Sequence, residues 1–406
     1  MDINSSSRLS LGLQRHAAYY LTTLQHASEL LLQGREATAQ GLASFDLDAR
    51  NIEAGFTWAA LQAPEDQAAA TLCINYAVVG SHILSLRQRP PERIHWLEQA
   101  LAAAQRFQVR TREGILSNLS GAAYSDLGEA QRAAEYHDQA LTIAHEINDE
   151  RATASALGNL GTAYSDLGET RRAIQLYEEQ LTLVRQLGDQ RGQAITLGNL
   201  GLAYAALGEI PRAIQCHEQH LKLAHAIGDR RSEGAALGHL GSAYAALGET
   251  QRAIPFFEQR IAIAREIGDQ RGEAINLGNL GLVYADLGEW KQAVSIYLQQ
   301  LALAQAMADR YTESNALGNL GIAYRNIGQP QRALEFYERQ AALVQATGNL
   351  RGQGAVLFNM SLAFEQIGDR ERAIARAEAA LKILKQLESP YAAGVEKQLI
   401  AWRELP

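Results

Sequence analysis

The chain has 406 residues, 47% of them hydrophobic and 7% aromatic, and its formal net charge of −8 argues against non-specific nucleic-acid binding, which needs a basic stripe to displace counterions. No apolar run approaches the roughly 20 residues that span a bilayer, and the opening MDINSSSRLS lacks the apolar stretch of a signal peptide. The two cysteines, Cys73 and Cys216, make no disulfide framework, so a reduced, cytoplasmic protein is expected.

In chain order, residues 1–62 form an N-terminal helical segment with predicted helices over 11–33 and 47–61, joined by a polar stretch. Residues 63–109 read as a degenerate helix pair. An apolar helix over 72–86 is followed by a break at Pro90 and Pro91, then by a helix through Ile94, Leu97 and Leu101. From 110 to 388 the chain repeats itself. Tyr124, Tyr164, Tyr204, Tyr244, Tyr284 and Tyr324 are 40 residues apart, with Phe364 next in the series, and Gly128, Gly168, Gly208, Gly248, Gly288, Gly328 and Gly368 keep the same interval. Seven units of 40 residues result, and such self-similarity is the mark of a stacked array. After Pro390, residues 391–405 read as a capping helix within the terminal segment 389–406.

Each unit reads as two helices. In the unit opening at Asp189, that carboxylate is placed as an N-cap, and Ile195, Leu197, Leu200 and Tyr204 recur at helical spacing. Gly208 takes the left-handed conformation that ends a helix at little cost. Glu209 and Pro211 open the second helix, where a negative charge suits the dipole and a missing N–H is tolerated. Ala213, Ile214, Leu221 and Leu223 form its apolar stripe, and Gly228 closes it. A single hairpin cannot bury both apolar faces, whereas stacked copies can. The fold class expected is therefore all-α, a right-handed superhelical solenoid of stacked antiparallel helix pairs.

Leu160, Gly161, Tyr164, Ala173 and Tyr177, repeated unit by unit, resemble the tetratricopeptide signature. The 40-residue period is longer than the usual 34 and is similar to the variant in the spindle-orientation adaptor Pins and in kinesin light chain. Upstream, Arg15 to Leu21 (RHAAYYL), Leu47 to Ala54 (LDARNIEA) and Trp58-Ala59 resemble the helical segment that follows the winged-helix domain of bacterial signalling NTPases of the STAND class. That resemblance implies the tetratricopeptide sensor of a longer protein, with a nucleotide-binding module N-terminal to it. No G-x-x-x-x-G-K-[ST] loop occurs in the chain, so no phosphate cradle is present here. The other reading is a free-standing scaffold that brings proteins together, its first helices serving as caps.

Catalysis finds no constellation to support it, and no cofactor is implied. Cys216, His217, His220 and His225 suggest a metal cluster, but His217 stands in the column of His137, Tyr177, Phe257 and Tyr297, so the histidines read as column variants. The row Arg151, Arg191, Arg231, Arg271 and Arg351 reads as solvated charge near helix starts.

A protein or peptide ligand is expected in the groove lined by the first helices. One column there is Ser155, Ile195, Ala235, Ile275, Asn315 and Ala355; a second is Thr162, Leu202, Ser242, Leu282, Ile322 and Leu362. Gly158, Gly198, Gly238, Gly278 and Gly318 lie between them and are expected to leave backbone accessible. The resemblance to Pins-type grooves implies Arg in the first column, which grips acidic peptides; its absence here argues against an acidic ligand. Beside the channel run Asn159, Asn199, His239, Asn279, Asn319 and Asn359. Asn is a poor mid-helix residue, so these amides either hold a ligand backbone or bond between repeats. Gln180, His220, Arg260, Gln300 and Gln340 on the second helices invite the same two readings. Trp290 and Leu298 break their columns, either as a contact surface or as local drift with Trp290 stapling a helix start.

Overall fold

The computed structural model describes residues 3–33 and 35–404; Leu405, the last residue of the expected terminal helix, lies outside them. Among the described residues the secondary structure is helical throughout, and the chain divides into two compact units, Met1–Glu209 and Ile210–Pro406.

The first unit begins with α1 (Ile3–Leu30) and α2 (Arg35–Gln62), packed along their lengths. The stretch expected to be a polar linker is helical from Arg35, because its residues are mostly good helix formers and Gly41 lets α2 approach the Ala27 carbonyl of α1. Next come α3 (Gln67–Val79), α4 (Ser81–Arg87) and α5 (Pro90–Arg106). The single helix expected over 72–86 breaks at Gly80 with a bend of 65°. A Cβ on Gly80 would meet the Tyr76 carbonyl at 2.7 Å and Leu84 at 2.8 Å, so only glycine permits α4 to turn back onto α1. Pro90 and Pro91 do not merely interrupt; they form the first positions of α5, where a missing N–H is tolerated. The core here stacks Phe56 on Trp96 at 3.9 Å, and the Tyr76 hydroxyl donates to the Ala17 carbonyl at 2.6 Å.

Antiparallel pairs follow: α6 (Arg110–Leu127) with α7 (Ala130–Glu146), α8 (Glu150–Asp166) with α9 (Thr170–Gln186), and then α10 (Gln190–Ala206). The second unit holds α11 (Ile210–Ala226), α12 (Arg230–Ala246), α13 (Thr250–Ile267), α14 (Gln270–Asp286), α15 (Trp290–Ala306), α16 (Arg310–Asn326), α17 (Pro330–Ala346), α18 (Leu350–Ile367), α19 (Arg370–Gln386) and α20 (Ala392–Glu404). Within each unit consecutive helices pack on one another as stacked antiparallel pairs. No single described helix is long and apolar enough to cross a membrane.

The punctuation is chemical. Asp149, Asp189, Asp229, Asp269, Asp309 and Asn349 each accept from the backbone N–H three residues on, satisfying a donor that the helix start leaves orphaned. Each turn between the two helices of a pair passes through a left-handed glycine, such as Gly168 with φ of 78°. Within a pair, the small residue of the first helix receives the aromatic of the second. A Cβ on Gly161 would lie 2.6 Å from the Tyr177 ring, and Gly241 meets Phe257 in the same way. Tyr177, not Tyr164, therefore fills the space that Gly161 opens. Tyr164 is half-buried beneath the Arg172 guanidinium, 4.0 Å from its ring centre.

Candidate ligand cleft

The sequence columns meet in three dimensions most fully in the second unit. A cleft of about 460 Å³ is bordered by Ile275, Asn279 and Leu282 of α14, by Tyr311, Asn315, Asn319 and Ile322 of α16, and by Asn359 of α18, with Gln300 and Gln340 reaching it from α15 and α17. Of its apolar members, Ile275 and Leu282 are open to solvent by 50% and 48%, and Ile322 is half-buried. The cleft has no charged side chain in its lining.

The amide row divides by unit. In the first, Asn159 donates to the side-chain oxygen of Asn118 at 3.0 Å; that Oδ1 lies 2.8 Å from His137 Nδ1, and the Asn118 amide nitrogen donates to the Ser155 hydroxyl. Asn118 is one residue out of register in sequence, yet it completes an inter-repeat hydrogen bond. In the second unit Asn279, Asn319 and Asn359 are half-buried, and among the described residues their amides have no hydrogen-bond partner. Asn199 is half-buried on α10, next to the exposed Ile195 and Leu202. Leu362 is half-buried against the second unit's core.

The ladder on the second helices is turned into the seam between helices. Gln300 and Gln340 donate to the Ala274 and Ser314 carbonyls, each at 3.1 Å. Arg260 pairs with Asp269 at 2.5 Å, and His220 Nε2 lies 2.8 Å from the Ser232 hydroxyl. Gln180 is buried against Gly158. This arrangement corrects the reading of the glycine column. Gly158, Gly278 and Gly318 are buried, and a Cβ on Gly278 would lie 2.5 Å from Gln300 Nε2. They make room for the glutamines and do not open backbone to a ligand.

His217 and His220 of α11 and His239 of α12 gather at the junction of two repeats. The His217 and His239 rings stack at 4.9 Å, and the Nδ1 atoms of His217 and His220 are buried without a partner. Burial pushes the His217 imidazole down to about 3 and that of His220 to about 4, with the neighbouring His239 adding to both shifts. His239 is lowered by burial and by the Arg260 charge. These are neutral packing groups, and among the described residues no group of three or more His, Cys, Asp or Glu is placed to hold a metal ion.

Sequence reasoning missed Tyr311. It is 74% exposed at the rim of the cleft and occupies the place held by Arg271 and Arg351 in the flanking repeats; the break in the Arg row was the available signal. Trp290 is half-buried against the second unit's core, whereas Leu298 remains 41% exposed.

The model of the tetratricopeptide repeat matches residues 111–186, 192–266, 272–346 and 312–386. Among solved structures, a STAND-class signal transduction ATPase with a tetratricopeptide repeat sensor from Pyrococcus horikoshii is 15% identical with a TM-score of 0.64, over 84% of this chain and 55% of that one. The apo quorum sensor NprR from B. thuringiensis is 14% identical with a TM-score of 0.57, over 93% of this chain and 99% of that one. Aspartyl phosphate phosphatase F from Bacillus subtilis is 12% identical with a TM-score of 0.55, over 91% and 93%. At these identities the likeness is one of fold. No curated protein sequence matches the chain.

Proposed function

Because the chain belongs to the tetratricopeptide repeat family, we propose that it is a binding and sensing module whose second unit takes a protein or peptide segment into the cleft of α14, α16 and α18. The observation that carries this reading is the pairing of solvent-open Ile275 and Leu282 with the unpartnered amides of Asn279, Asn319 and Asn359. Covering a few hundred Å² of apolar surface at about 25 cal/mol per Å² supplies several kcal/mol before ordering costs. An amide offers both donor and acceptor to a backbone. The test is selection from a random peptide display library by the immobilised chain. Peptides retained by the native chain and lost on Leu282→Glu, with circular dichroism still helical, are the expected result. Retention unchanged by that charge would place binding elsewhere.

A finer reading makes the chain the sensor of a STAND-class NTPase, with its nucleotide-binding module N-terminal in the parent protein. It is supported by the segment around Arg15–Leu21 and Leu47–Ala59 and by the fold likeness to an ATPase whose sensor is of this repeat type. An in-frame G-x-x-x-x-G-K-[ST] loop in the coding region upstream of Met1 is the expected finding. A native start at Met1 would favour the scaffold reading instead.

A further inference from the structure

In six of the seven repeats the third residue of the second helix is an arginine; in α15 it is Gln292. The seat of that arginine has three parts. Arg172 lies 4.0 Å from the centre of the Tyr164 ring, donates to the Tyr164 hydroxyl at 2.9 Å and to Glu169 at 2.8 Å, and feels the charge of Asp138 on the preceding second helix, α7. Arg252 repeats this over Tyr244 at 4.2 Å, with Glu249 and Glu218 as its carboxylates. Arg132, Arg332 and Arg372 lie 5.4, 5.2 and 4.7 Å from the ring centres of Tyr124, Tyr324 and Phe364. A guanidinium is attracted by the ring face and by carboxylates that its planar fork can reach.

The repeat of α14 and α15 keeps every part of the seat and lacks the cation. Tyr284 supplies the ring, Glu289 stands where Glu169 and Glu249 stand, and Glu258 of α13 stands where Asp138 and Glu218 do. Both carboxylates bear on the Tyr284 hydroxyl, which burial and then the charges of Glu258 and Glu289 push up. Among the described residues neither carboxylate has an ion pair or a hydrogen bond, and no guanidinium covers the ring. Lys291, one position before Gln292, makes no ion pair either. Tyr284 is half-buried and Gln292 is exposed, so the seat is reached from solvent. None of these residues lines the cleft of α14, α16 and α18.

We propose that this seat is a second interaction site, which takes the side chain of an arginine from a partner protein. The guanidinium lies on the Tyr284 ring and donates to Glu289, with Glu258 as the second counter-charge. Its chemistry is that of the chain's own repeats, where the same residue types already hold a guanidinium. An ammonium would meet the charges, but it cannot lie flat on the ring while donating to the hydroxyl and a carboxylate together.

The acetylated and amidated peptide Gly-Ser-Arg-Ser-Gly, its lysine counterpart and its neutral citrulline counterpart are titrated into the full chain carrying isotope-labelled tyrosine. The readout is the NMR ring signal that Tyr284→Phe removes. The arginine peptide is expected to shift that signal with an affinity at least about tenfold above that of the citrulline peptide and clearly above that of the lysine peptide. Added salt and Glu289→Gln should each weaken it. Gln292→Arg should fill the seat from within, as in the neighbouring repeats, raising the melting temperature and abolishing the shift. No shift with the arginine peptide, an equal response to citrulline or lysine, or a response that survives Gln292→Arg in a folded chain overturns the proposal.

Discussion

Where α11, the second helix of one repeat, meets α12, the first of the next, imidazoles stand at His217, His220 and His239, positions that in most other repeats carry an aromatic ring or an amide. Their burial holds them neutral, since charging an imidazole away from water is costly. The groups that face them are one another, the Arg260 cation, Asp229 and the Ser232 hydroxyl. Folded-state values of about 3 and 4 for His217 and His220 lie below the unfolded value of about 6.5. The unfolded chain therefore binds protons first, and stability is lost as pH falls from about 6.5 toward 4. His137 in the first unit, lowered to about 4 by burial, adds to the same loss. The carboxylates with lowered values, such as Asp309 and Asp369, act mainly below about pH 5, so the loss between about pH 6.5 and 5 reports on the histidines. Melting temperatures across pH 7 to 4 should fall for the native chain. The fall should be shallower in the variant His217→Tyr, His220→Gln, His239→Asn, which restores the residues of neighbouring repeats. An identical pH profile would mean that the trio carries no protonation cost. The two halves of this cluster were differently legible: the column positions of all three histidines could be read from the 40-residue period, but their stacking and orphaned nitrogens depend on rotamers that no spacing encodes.

Helices of successive repeats are joined by a hydrogen bond that the sequence columns disguise. The Tyr204 hydroxyl donates to Glu178 at 2.7 Å, and Tyr124 donates to Glu98 at 3.0 Å. The acidic column on the second helices thus accepts from the tyrosine column on the next first helix. α15 breaks the pattern, because Leu298 stands where the acceptor for Tyr324 would be. Among the described residues Tyr324 makes no such bond, although its ring stacks on Phe336 at 5.1 Å as that of Tyr244 does on Phe256. Leu298→Glu should stabilise the chain by about 0.5–1.5 kcal/mol, the net yield of one hydrogen bond. A double-mutant cycle with Tyr324→Phe checks this. The gain should vanish in the phenylalanine background; a gain that persists there would assign it to removing exposed apolar surface. The acidic column was visible in the sequence, and so was its interruption. Its partner was not, because a contact between residues 26 apart is set by how α15 lies against α16.

At the scale of the molecule, α14 and α15 together make one period, and the residues that flank it are equivalent. Asp269 and Asp309 cap α14 and α16 in the same way, and Gly268 and Ala308 both take positive φ, 70° and 54°. Deleting residues 270–309 therefore joins like to like, and stability should fall by roughly one repeat and its interface. The shortened chain is expected to keep its helical circular dichroism with a lowered melting temperature; an unfolded product would show that the repeats are not interchangeable parts. The period by itself determined the helix pairs, their caps and their turn glycines, because each is a local demand on a few adjacent residues. It also located the groove columns, since equivalent positions in stacked copies must align. Only the tertiary structure decided which polar columns are spent inside the stack and which stay open. Asn159 and Asn279 occupy the same column, yet Asn159 bonds to Asn118 while Asn279 faces a cleft. The physical reason is that an amide takes whatever partner lies within about 3 Å, and that distance is fixed by the packing of neighbouring helices, not by the residue's own place in the repeat.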